Sequence, residues 1–482
     1  MNPETVPHVY LVDAQNHYQR GAVMAKDPVL TTGPPQTVSY FIDPDARWSD
    51  GQPITSADIK YTWDQIVHGQ DVYSTVGYSD ISRIDTPSPT EAVAVFSKPY
   101  AAWRDLFGAD DYGILPSHIL AGQDRDAVMR NGYSWSGGPW LIQSWQKGQS
   151  ITLVPNPQYW GKKPYLDKVV FQIITDTSTE ASDYKAGRFD LVYPQPAASV
   201  VATLHEVPGS QLVVRPSLDY EGIWLNVTKA PLDDVKVRQA LAYATDRNAI
   251  VRQALGSVDA GLKPLQSSIP PGETTFAAAA FSRYAPNPAM VDQLMTGAGW
   301  ARGAGGTWVK NGQPATIQIK STAGTERRAL MESLLQSQWS AAGFSVSVQD
   351  ESVGTLVGQD LPVGNFQTAV YAEFPASPDP GQCVLWCSAD VPGPANLDTG
   401  QNWTRITDPA LDLTWGAADS ELNPTKRAQE VKAGQAALAN LVPFIPLDNL
   451  PDVLAWRTRL RGPVGDDSSS GPFWNMEQWY LG

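Results

Sequence analysis

The chain has 482 residues, 42% of them hydrophobic, so it is long enough to bury two or three separate cores. Its formal net charge is −15 at pH 7, and no basic patch interrupts this acidic balance, which argues against nucleic acid as a partner. The apolar runs, such as residues 441–447, fall far short of the roughly 20 residues of a membrane helix, so no bilayer-spanning segment is predicted.

The first third of the chain predicts a strand-rich region. Apolar and polar residues alternate over 37–42 and 91–96, and another short strand is expected over 151–154. Residues 100–107 predict a short helix, and a further helix is expected to begin near residue 115. Pro, Gly and Asp separate these segments, which favours strands joined by tight turns.

A turn and a capped helix lie within this region. Residues 48–51 have turn chemistry, because Gly51 adopts positive φ at little steric cost. Thr55 lies three residues before Asp58, which is the spacing of a helix cap. The sequence therefore predicts a helix over 56–67. Its apolar face is formed by Ile59, Trp63 and Ile66.

From residue 169 onward, predicted strands and helices alternate. The first series consists of strands over 169–174, 189–192, 211–215 and 222–227, with helices over 178–186 and 234–255. A passage rich in Pro, Gly and Ala follows at 269–280. The second series consists of helices over 288–298, 326–342 and 425–440, with strands over 315–320, 344–348 and 366–371. This alternation is typical of two α/β lobes.

The chain has two cysteines, Cys383 and Cys387. Their spacing is neither that of a zinc ribbon nor that of a redox Cys-x-x-Cys motif, and no second pair of ligands accompanies them. A local disulfide formed in an oxidising compartment is the favoured interpretation, and two reduced thiols buried in a core are the alternative.

A search for catalytic chemistry finds no combination of residues that would support it. The five histidines occur singly, and neither a Gly-x-Ser-x-Gly elbow nor a phosphate-binding loop is present. The glycines at 303–306 indicate a turn, and the pair Asp233-Asp234 lies in a sequence context typical of helix caps. The sequence therefore predicts no catalytic residue, no metal site and no cofactor.

Five segments resemble one known family. The run from 41 to 63 resembles the extracellular solute-binding proteins of ABC importers, in the branch that binds peptides and nickel chelates. Residues 136–160, in which Trp140 replaces the usual Tyr, resemble the same family, and so do three later segments. These later segments are 225–250, 294–300 and 443–447. All five occur in the family's order and cover most of the chain.

The resemblance implies a periplasmic-binding-protein-like α/β fold with two lobes joined by a hinge. The first lobe would comprise residues 1–10, 164–255 and 445–482, and the second lobe residues 256–444. A strand-rich accessory subdomain, residues 11–163, would extend the first lobe. Family members are exported and begin with a strand and helix before the segment matched by residues 9–11. We therefore expect a trimmed chain or a misplaced gene start, with real loss of that element as the alternative.

The resemblance also implies a site for the ligand's ammonium group. In peptide-binding relatives an acidic residue at a strand end of the second lobe pairs with the α-ammonium, and Glu373 occupies that position, although the spacing around it departs from the family's pattern. Asp379 resembles the family's later Asp-Pro. Aromatic walls are expected near the junction of the lobes, before Asn226. The predicted ligand-binding residues are Glu373, Tyr371, Asp379, Trp224, Tyr220 and Asn226.

The function implied is that of an extracytoplasmic, lipid-anchored, monomeric solute-binding protein. It is expected to capture peptides or peptide-like solutes between its lobes, to deliver them to ABC permease subunits, and to bind no nucleic acid. The first alternative is a member of the same fold that acts in sensing, in the cell envelope or in natural-product biosynthesis instead of transport. An enzyme on this scaffold is the less favoured alternative.

Overall fold

The structure, a computed structural model, describes residues 4–482 apart from 70–71, 110–111, 131, 271, 274, 376–377, 380, 397, 467 and 469. Its helices are Ser56–His68, Ser117–Leu120, Arg125–Arg130, Thr177–Lys185, Ala198–His205, Val235–Ala244, Arg247–Leu255, Pro288–Gly297, Glu326–Ala341, Val353–Thr355, Leu361–Val363, Cys383–Trp386, Pro409–Ser420 and Pro424–Leu441. Within the described ranges, no helix has the length and apolar character that crossing a membrane requires.

A mixed six-stranded sheet runs through the centre of the molecule. In order across the sheet, its strands are Leu191–Val192, Phe444–Arg457, Ser210–Leu225, Thr368–Glu373, Thr316–Thr322 and Ser345–Glu351. The first four pair antiparallel with their neighbours, and the last three pair parallel. Ser210–Leu225 and Phe444–Arg457, called the crossing strands below, have 16 and 14 residues and contribute to both the largest hydrophobic core and the smaller clusters.

The remaining strands form smaller antiparallel sheets. The accessory subdomain contains a four-stranded sheet and a three-stranded sheet, and strand pairs lie at the edges of the molecule. The four-stranded sheet consists of Val29–Thr31, Thr37–Phe41, Glu91–Phe96 and Ile81–Ser88. The three-stranded sheet consists of Trp140–Gln146, Ser150–Pro155 and Val169–Gln172. The other strands are Tyr10–Val12 with Tyr18–Arg20, Leu460–Arg461 with Tyr480–Leu481, and the trio Ala301–Arg302, Trp308–Lys310 and Gln313–Pro314.

The hydrophobic side chains divide into separate cores. One core lies in the accessory subdomain, beneath the four-stranded sheet and the helix Ser56–His68. Two smaller clusters surround one end of the crossing strands. The largest core surrounds the other end, and it includes the helices Val235–Ala244 and Arg247–Leu255 together with the second α/β series. The residue boundaries given above for the two lobes and the subdomain stay a prediction.

The predicted corner of the accessory subdomain is present. The helix runs over Ser56–His68, and Thr55 and Asp58 form a reciprocal capping box at its start. The Asp58 carboxylate also accepts hydrogen bonds from the backbone and side chain of Ser117, at 2.8 and 2.6 Å, and from the indole of Trp48, at 3.3 Å. One carboxylate thus joins the turn, the helix and the next helix of the subdomain.

Two expected elements have different boundaries. The strands predicted over 211–215 and 222–227 are one strand, because residues 217–219 bulge without ending it. The helix predicted over 234–255 is two helices. It breaks because the hydroxyl of Thr245 donates to the carbonyl of Leu241 at 2.7 Å, while the side chain of Asp246 accepts from the Ala249 N–H and caps a new helix.

The helix expected over 100–107 does not form. These residues make a series of turns, in which Phe107 has a φ of +59°. The Phe107 N–H donates to the Tyr78 hydroxyl at 2.7 Å, and its carbonyl accepts from the Val9 N–H at 2.8 Å. Tertiary hydrogen bonds therefore replace the helical ones.

Cys383 and Cys387 form a disulfide, as the favoured interpretation of their spacing predicts. The helix Cys383–Trp386 lies inside the loop that this bond closes. The disulfide therefore fixes the base of the segment that presents Trp386 to the largest core.

Candidate ligand-binding cleft

The crossing strands form the hinge between the two ends of the molecule. Their ladder pairs Pro216 with Pro451 and then Tyr220 with Asn449, so residues 217–219 face only Leu450. Side chains bridge the gap: the Ser217 hydroxyl donates to the Leu450 carbonyl at 2.7 Å, and the Asn449 amide donates to the Ser217 carbonyl at 3.2 Å. Backbone pairing is weakest here, which is where a hinge rotation costs least.

The cleft in front of this hinge lies between the accessory subdomain and the second lobe. Two hydrogen bonds join its walls: the Ala101 N–H donates to the Asp419 carbonyl at 2.7 Å, and the Gly400 N–H donates to the Tyr73 carbonyl at 2.8 Å. The walls also approach at Gly381, where an added Cβ would lie 3.8 Å from the Tyr100 hydroxyl. The two walls are therefore in contact, as in a closed binding protein.

An aromatic stack forms the floor of the second lobe beside the cleft. Trp224 stacks between Tyr371 and Trp386, with ring centroids 4.8 and 5.4 Å away and planes within 13° of parallel. Its indole N–H donates to the Tyr371 carbonyl at 3.2 Å. Phe444 and Tyr220 pack against the same group. This stack packs three neighbouring strands of the central sheet against one another.

Glu373 ends the strand Thr368–Glu373, and it pairs in the ladder with Tyr220. It is partly buried, and burial raises the pKa of its carboxyl group to about 8. No charge or hydrogen bond from the described residues offsets this burial. A carboxylate in that environment gains more from a cationic partner than one in water does.

The other predicted site residues are distributed between the cleft and the core. Tyr220, Trp224 and Tyr371 are at most 4% exposed and belong to the stack. Asp379 receives a bidentate ion pair from Arg427 of the helix Pro424–Leu441. Asn226 is fully buried, and its amide donates to the Gly364 carbonyl while its oxygen accepts two hydrogen bonds from Thr228. Asn226 thus stabilises a turn.

The structure adds residues that the sequence did not single out. Glu273 is 6% exposed, and Oε2 of its carboxylate has no hydrogen-bond partner among the described residues. Burial raises its pKa well above the ordinary value, and the negative charges of Asp379 and Asp105 add to the effect, while Arg427 opposes it. Glu273 lies in the passage rich in Pro, Gly and Ala, where no periodicity marks it as buried.

A second charged group lies behind the cleft, on the opposite face of the central sheet. Arg327 and Arg328, from the first turn of the helix Glu326–Ala341, both form ion pairs with Glu221 on a crossing strand. Arg327 also reaches Gln195 at 3.4 Å, and Glu326 accepts from the Ser199 hydroxyl. These contacts tie the second lobe to the first.

The cleft brings together charged and aromatic side chains. Carboxylates and aromatic rings surround it, and a guanidinium group is held by Asp379. Across the described residues, no group of three or more His, Cys, Asp or Glu side chains is placed to hold a metal ion. The arrangement suits a cationic group that is held by carboxylates beside aromatic surfaces.

Comparisons with known proteins agree with this architecture. The chain is 24% identical over 424 residues to a putative ABC transporter peptide-binding protein of Brucella ovis, covering 85% of this chain and 75% of that protein. The fold matches NikZ from Campylobacter jejuni in complex with Ni(L-His) and AppA from Bacillus subtilis in complex with a nonapeptide, each at 21% identity with a TM-score of 0.87. The alignments cover 98% and 99% of this chain and 93% of each of those chains.

The expected periplasmic-binding-protein-like fold is therefore confirmed. Residues 23–391 match the family described as bacterial extracellular solute-binding proteins, family 5 Middle, which is more than half of the chain. The members of this family are extracytoplasmic binding proteins. The chain belongs to the bacterial extracellular solute-binding proteins of family 5.

Proposed function

We propose that the protein captures peptides or peptide-like solutes in the cleft and delivers them to the permease of an ABC importer. The observation that carries this proposal is the Glu373 carboxylate, which ends a strand at the cleft and has a pKa of about 8 because it is buried. The α-ammonium of a peptide would form a charge-assisted hydrogen bond with it, typically about 1.5–3 kcal/mol.

Relatives support a peptide as the ligand class. The Brucella ovis relative is named as a peptide-binding protein of an ABC transporter, and the AppA structure contains a nonapeptide. Other structural neighbours hold nickel-histidine or bind EDTA, so the fold itself accepts different ligands. Glu373 favours a ligand with an ammonium group over these anionic or metal-containing ones.

Each predicted residue has a place in this proposal. Tyr220 and Tyr371 flank Glu373 and fix its position, and Trp224 packs against both rings. Asp379 orients Arg427 at the second-lobe wall. Asn226 stabilises the end of the strand and does not contact the ligand.

The remaining features of the proposal concern the protein's setting. It acts as a monomer outside the cytoplasmic membrane, with a lipid anchor in its precursor and the ABC permease subunits as its partners. It performs no covalent chemistry on its ligand. The disulfide Cys383–Cys387 fits an oxidising compartment of this kind.

Native mass spectrometry with a mixture of peptides and metabolites tests the proposal. We expect an intact peptide to be retained at one equivalent. A ligand recovered in chemically altered form would indicate an enzyme, and retention of no ligand from a broad mixture would contradict the binding function.

Calorimetry then tests the role of Glu373. The wild-type protein should bind a peptide with a free N-terminus more tightly than its N-acetylated form, by roughly 10-fold or more for about 1.5–3 kcal/mol. Glu373→Gln should lose this preference. Glu206→Gln is the matched control, because Glu206 is exposed on the first lobe and paired with Lys185. Equal binding of both peptides by the wild type would show that Glu373 does not pair with the ammonium group.

A further inference from the structure

Glu273 is a second carboxylate in the cleft with no assigned role. Backbone hydrogen bonds hold Glu273 itself in place: its N–H donates to the Pro270 carbonyl at 3.1 Å, and its carbonyl accepts from Phe276 and Ala277 at 2.9 and 3.0 Å. Its side chain is 6% exposed, and Oε2 has no hydrogen-bond partner in the described part of the chain. These bonds therefore hold Glu273 where, among the described residues, Oε2 of its carboxyl group has no partner.

The residues next to Glu273 place it beside the hinge and the second-lobe wall: an added Cβ on Gly272 would lie 2.6 Å from Leu218, and the Arg427 guanidinium lies 5.4 Å from the centre of the Phe276 ring. Glu273 is influenced by Asp379 and Arg427 on the second-lobe wall and by Asp105 on the wall of the accessory subdomain. Asp105 accepts a hydrogen bond from the Tyr18 hydroxyl at 2.5 Å and so belongs to the subdomain. Charges from both walls therefore act on this carboxyl group.

Arg427 does not neutralise Glu273. Both terminal nitrogens of its guanidinium donate to Asp379, and its Nε donates to the Ala418 carbonyl at 3.0 Å. The positive charge nearest to Glu273 is thus already bound to another carboxylate. Asp105 and Asp379 contribute further negative charge, so the electrostatic potential at Glu273 favours a cation.

Glu273 and Glu373 both act on one side chain, that of Tyr220, which pairs with Glu373 in the ladder. The charges of both raise the pKa of the Tyr220 hydroxyl, in addition to the effect of its burial. Glu373 ends a strand of the central sheet, and Glu273 lies in the loop after the helix Arg247–Leu255. The two carboxyl groups therefore belong to different elements. They form a pair of separated acceptors in one cleft.

A buried carboxyl group with a raised pKa keeps its proton in the ligand-free protein, and a cationic partner stabilises its ionised form instead. A peptide's α-ammonium supplies a partner for one of the two carboxylates and leaves the other unpaired. We propose that Glu273 binds a second positive charge, so that the preferred ligand is a short peptide carrying a basic side chain in addition to its α-ammonium. This inference rests on the proposed function, and it specifies a peptide ligand with two positively charged groups.

The experiment compares tripeptides that differ in one charge. Lys is placed at each position of a trialanine peptide in turn, and norleucine, which has nearly the shape of lysine without its ammonium, is placed at the same positions. Calorimetry measures their dissociation constants with the wild type, Glu273→Gln, Glu373→Gln and the control Glu206→Gln. At one of the three positions, we expect the wild type to bind the lysyl peptide at least 10-fold more tightly than the norleucyl peptide.

The variants separate the two carboxylates. Glu273→Gln should lose the preference for lysine and keep its affinity for the norleucyl peptide, while Glu373→Gln should weaken binding of both. Thermal unfolding of each variant verifies that it folds. A wild type that binds lysyl and norleucyl peptides alike overturns the role of Glu273 and leaves the peptide function standing. A wild type that binds no peptide overturns both.

Proton release gives an independent readout. Repeating the titrations at pH 7 in two buffers with different ionisation enthalpies counts the protons released when a ligand binds. Because both carboxyl groups have raised pKa values, a lysyl peptide should release more protons than its norleucyl counterpart, and Glu273→Gln should remove the difference. The other charged or titratable groups around Glu273 are Asp105, Asp379, Arg427 and Tyr220. Equal proton release by the lysyl and norleucyl peptides would contradict the pairing of Glu273 with the lysine.

Discussion

Glu221 and Asp448 lie directly opposite each other on the two crossing strands, and neither is exposed to solvent. Two carboxylates in such a cross-strand pair repel each other, and Arg327 and Arg328 supply the compensating charge. Burial nevertheless raises the pKa of Asp448 to about 7, although both guanidinium groups oppose this. The hinge strands are therefore held together by a charge cluster whose balance depends on a helix of the second lobe.

Replacing Arg327 by Met tests that balance. The variant leaves Glu221 and Asp448 buried with one guanidinium group fewer, and loss of one partner of a buried pair typically costs about 3–5 kcal/mol. Urea unfolding should show this loss. Arg459→Met is the control, since Arg459 and its partner Asp190 are exposed, and it should cost at most about 1 kcal/mol. Similar midpoints for the two variants would contradict the importance of the cluster.

A second substitution distinguishes charge from packing. In the double variant Arg327→Met, Glu221→Gln, one buried negative charge is removed together with the positive one. We expect it to be more stable than Arg327→Met alone, because the uncompensated carboxylate is gone. If the double variant is the less stable of the two, packing of the Arg327 stem explains the loss.

The ligand-free protein should lose stability from Glu373 as the pH rises. The native pKa of Glu373 is about 8, against an ordinary value of 4.5, so between these values the native state holds a proton that the unfolded chain releases. Stability from this group is therefore full below about pH 4.5 and declines as the pH approaches 8. Relative to wild type, Glu373→Gln should gain about 3.5 kcal/mol between pH 5 and 8.

Urea unfolding at both pH values measures this difference. Tyr220 and Tyr371, which contact Glu373, have pKa values raised above the ordinary range of tyrosine and do not titrate between pH 5 and 8. Glu206→Gln should follow the wild type at both pH values, because Glu206 is exposed. Parallel curves for the wild type and Glu373→Gln would show that the carboxyl is not buried in solution.

Trp224 should contribute strongly to stability. Trp224→Ala removes the central ring of the aromatic stack and leaves a cavity between Tyr371 and Trp386, so we expect a loss of about 3–5 kcal/mol. Trp145, which is 38% exposed, provides the control, and Trp145→Ala should cost about 1 kcal/mol or less. Equal losses in thermal unfolding would contradict a special role for the stack.

Asp58 should matter more than other acids of its helix. Asp58→Ala removes the capping box and the acceptor for Ser117 and Trp48, which should cost about 2–3 kcal/mol. Asp64→Ala, on the exposed side of the same helix, removes only a bond to His68 and should change the free energy of unfolding by less than about 0.5 kcal/mol. Comparable effects of the two substitutions in urea unfolding would refute this role.

Features that depend on neighbouring residues could be predicted from the sequence. The helix Ser56–His68 follows from Thr55, Asp58 and its apolar spacing, and the strand Glu91–Phe96 follows from alternation. The position of Glu373 at a strand end beside the cleft was also accessible, because a family pattern marks it. Each of these signals is contained in its own segment of about twenty neighbouring residues.

Features that depend on distant contacts could not be predicted. Glu273 is buried by walls that come from residues near 105, 379 and 427, and its own segment has no periodic pattern. Likewise, the sequence predicts two strands over 211–215 and 222–227, whereas pairing with residues more than 200 positions away carries one strand through the bulge. The charge cluster at Glu221 joins residues 107 positions apart. Only the folded chain brings such groups together.

The two hydrogen bonds that join the walls of the cleft, Ala101 to Asp419 and Gly400 to Tyr73, are made entirely by main-chain atoms. Every amino acid except proline can supply these donors and every one can supply the acceptors. Evolution can therefore exchange the side chains that face the ligand without disturbing how the walls meet. In this protein, contact between the walls depends on main-chain atoms, and selection of the ligand depends on side chains. A change of ligand therefore does not require a change in how the walls close.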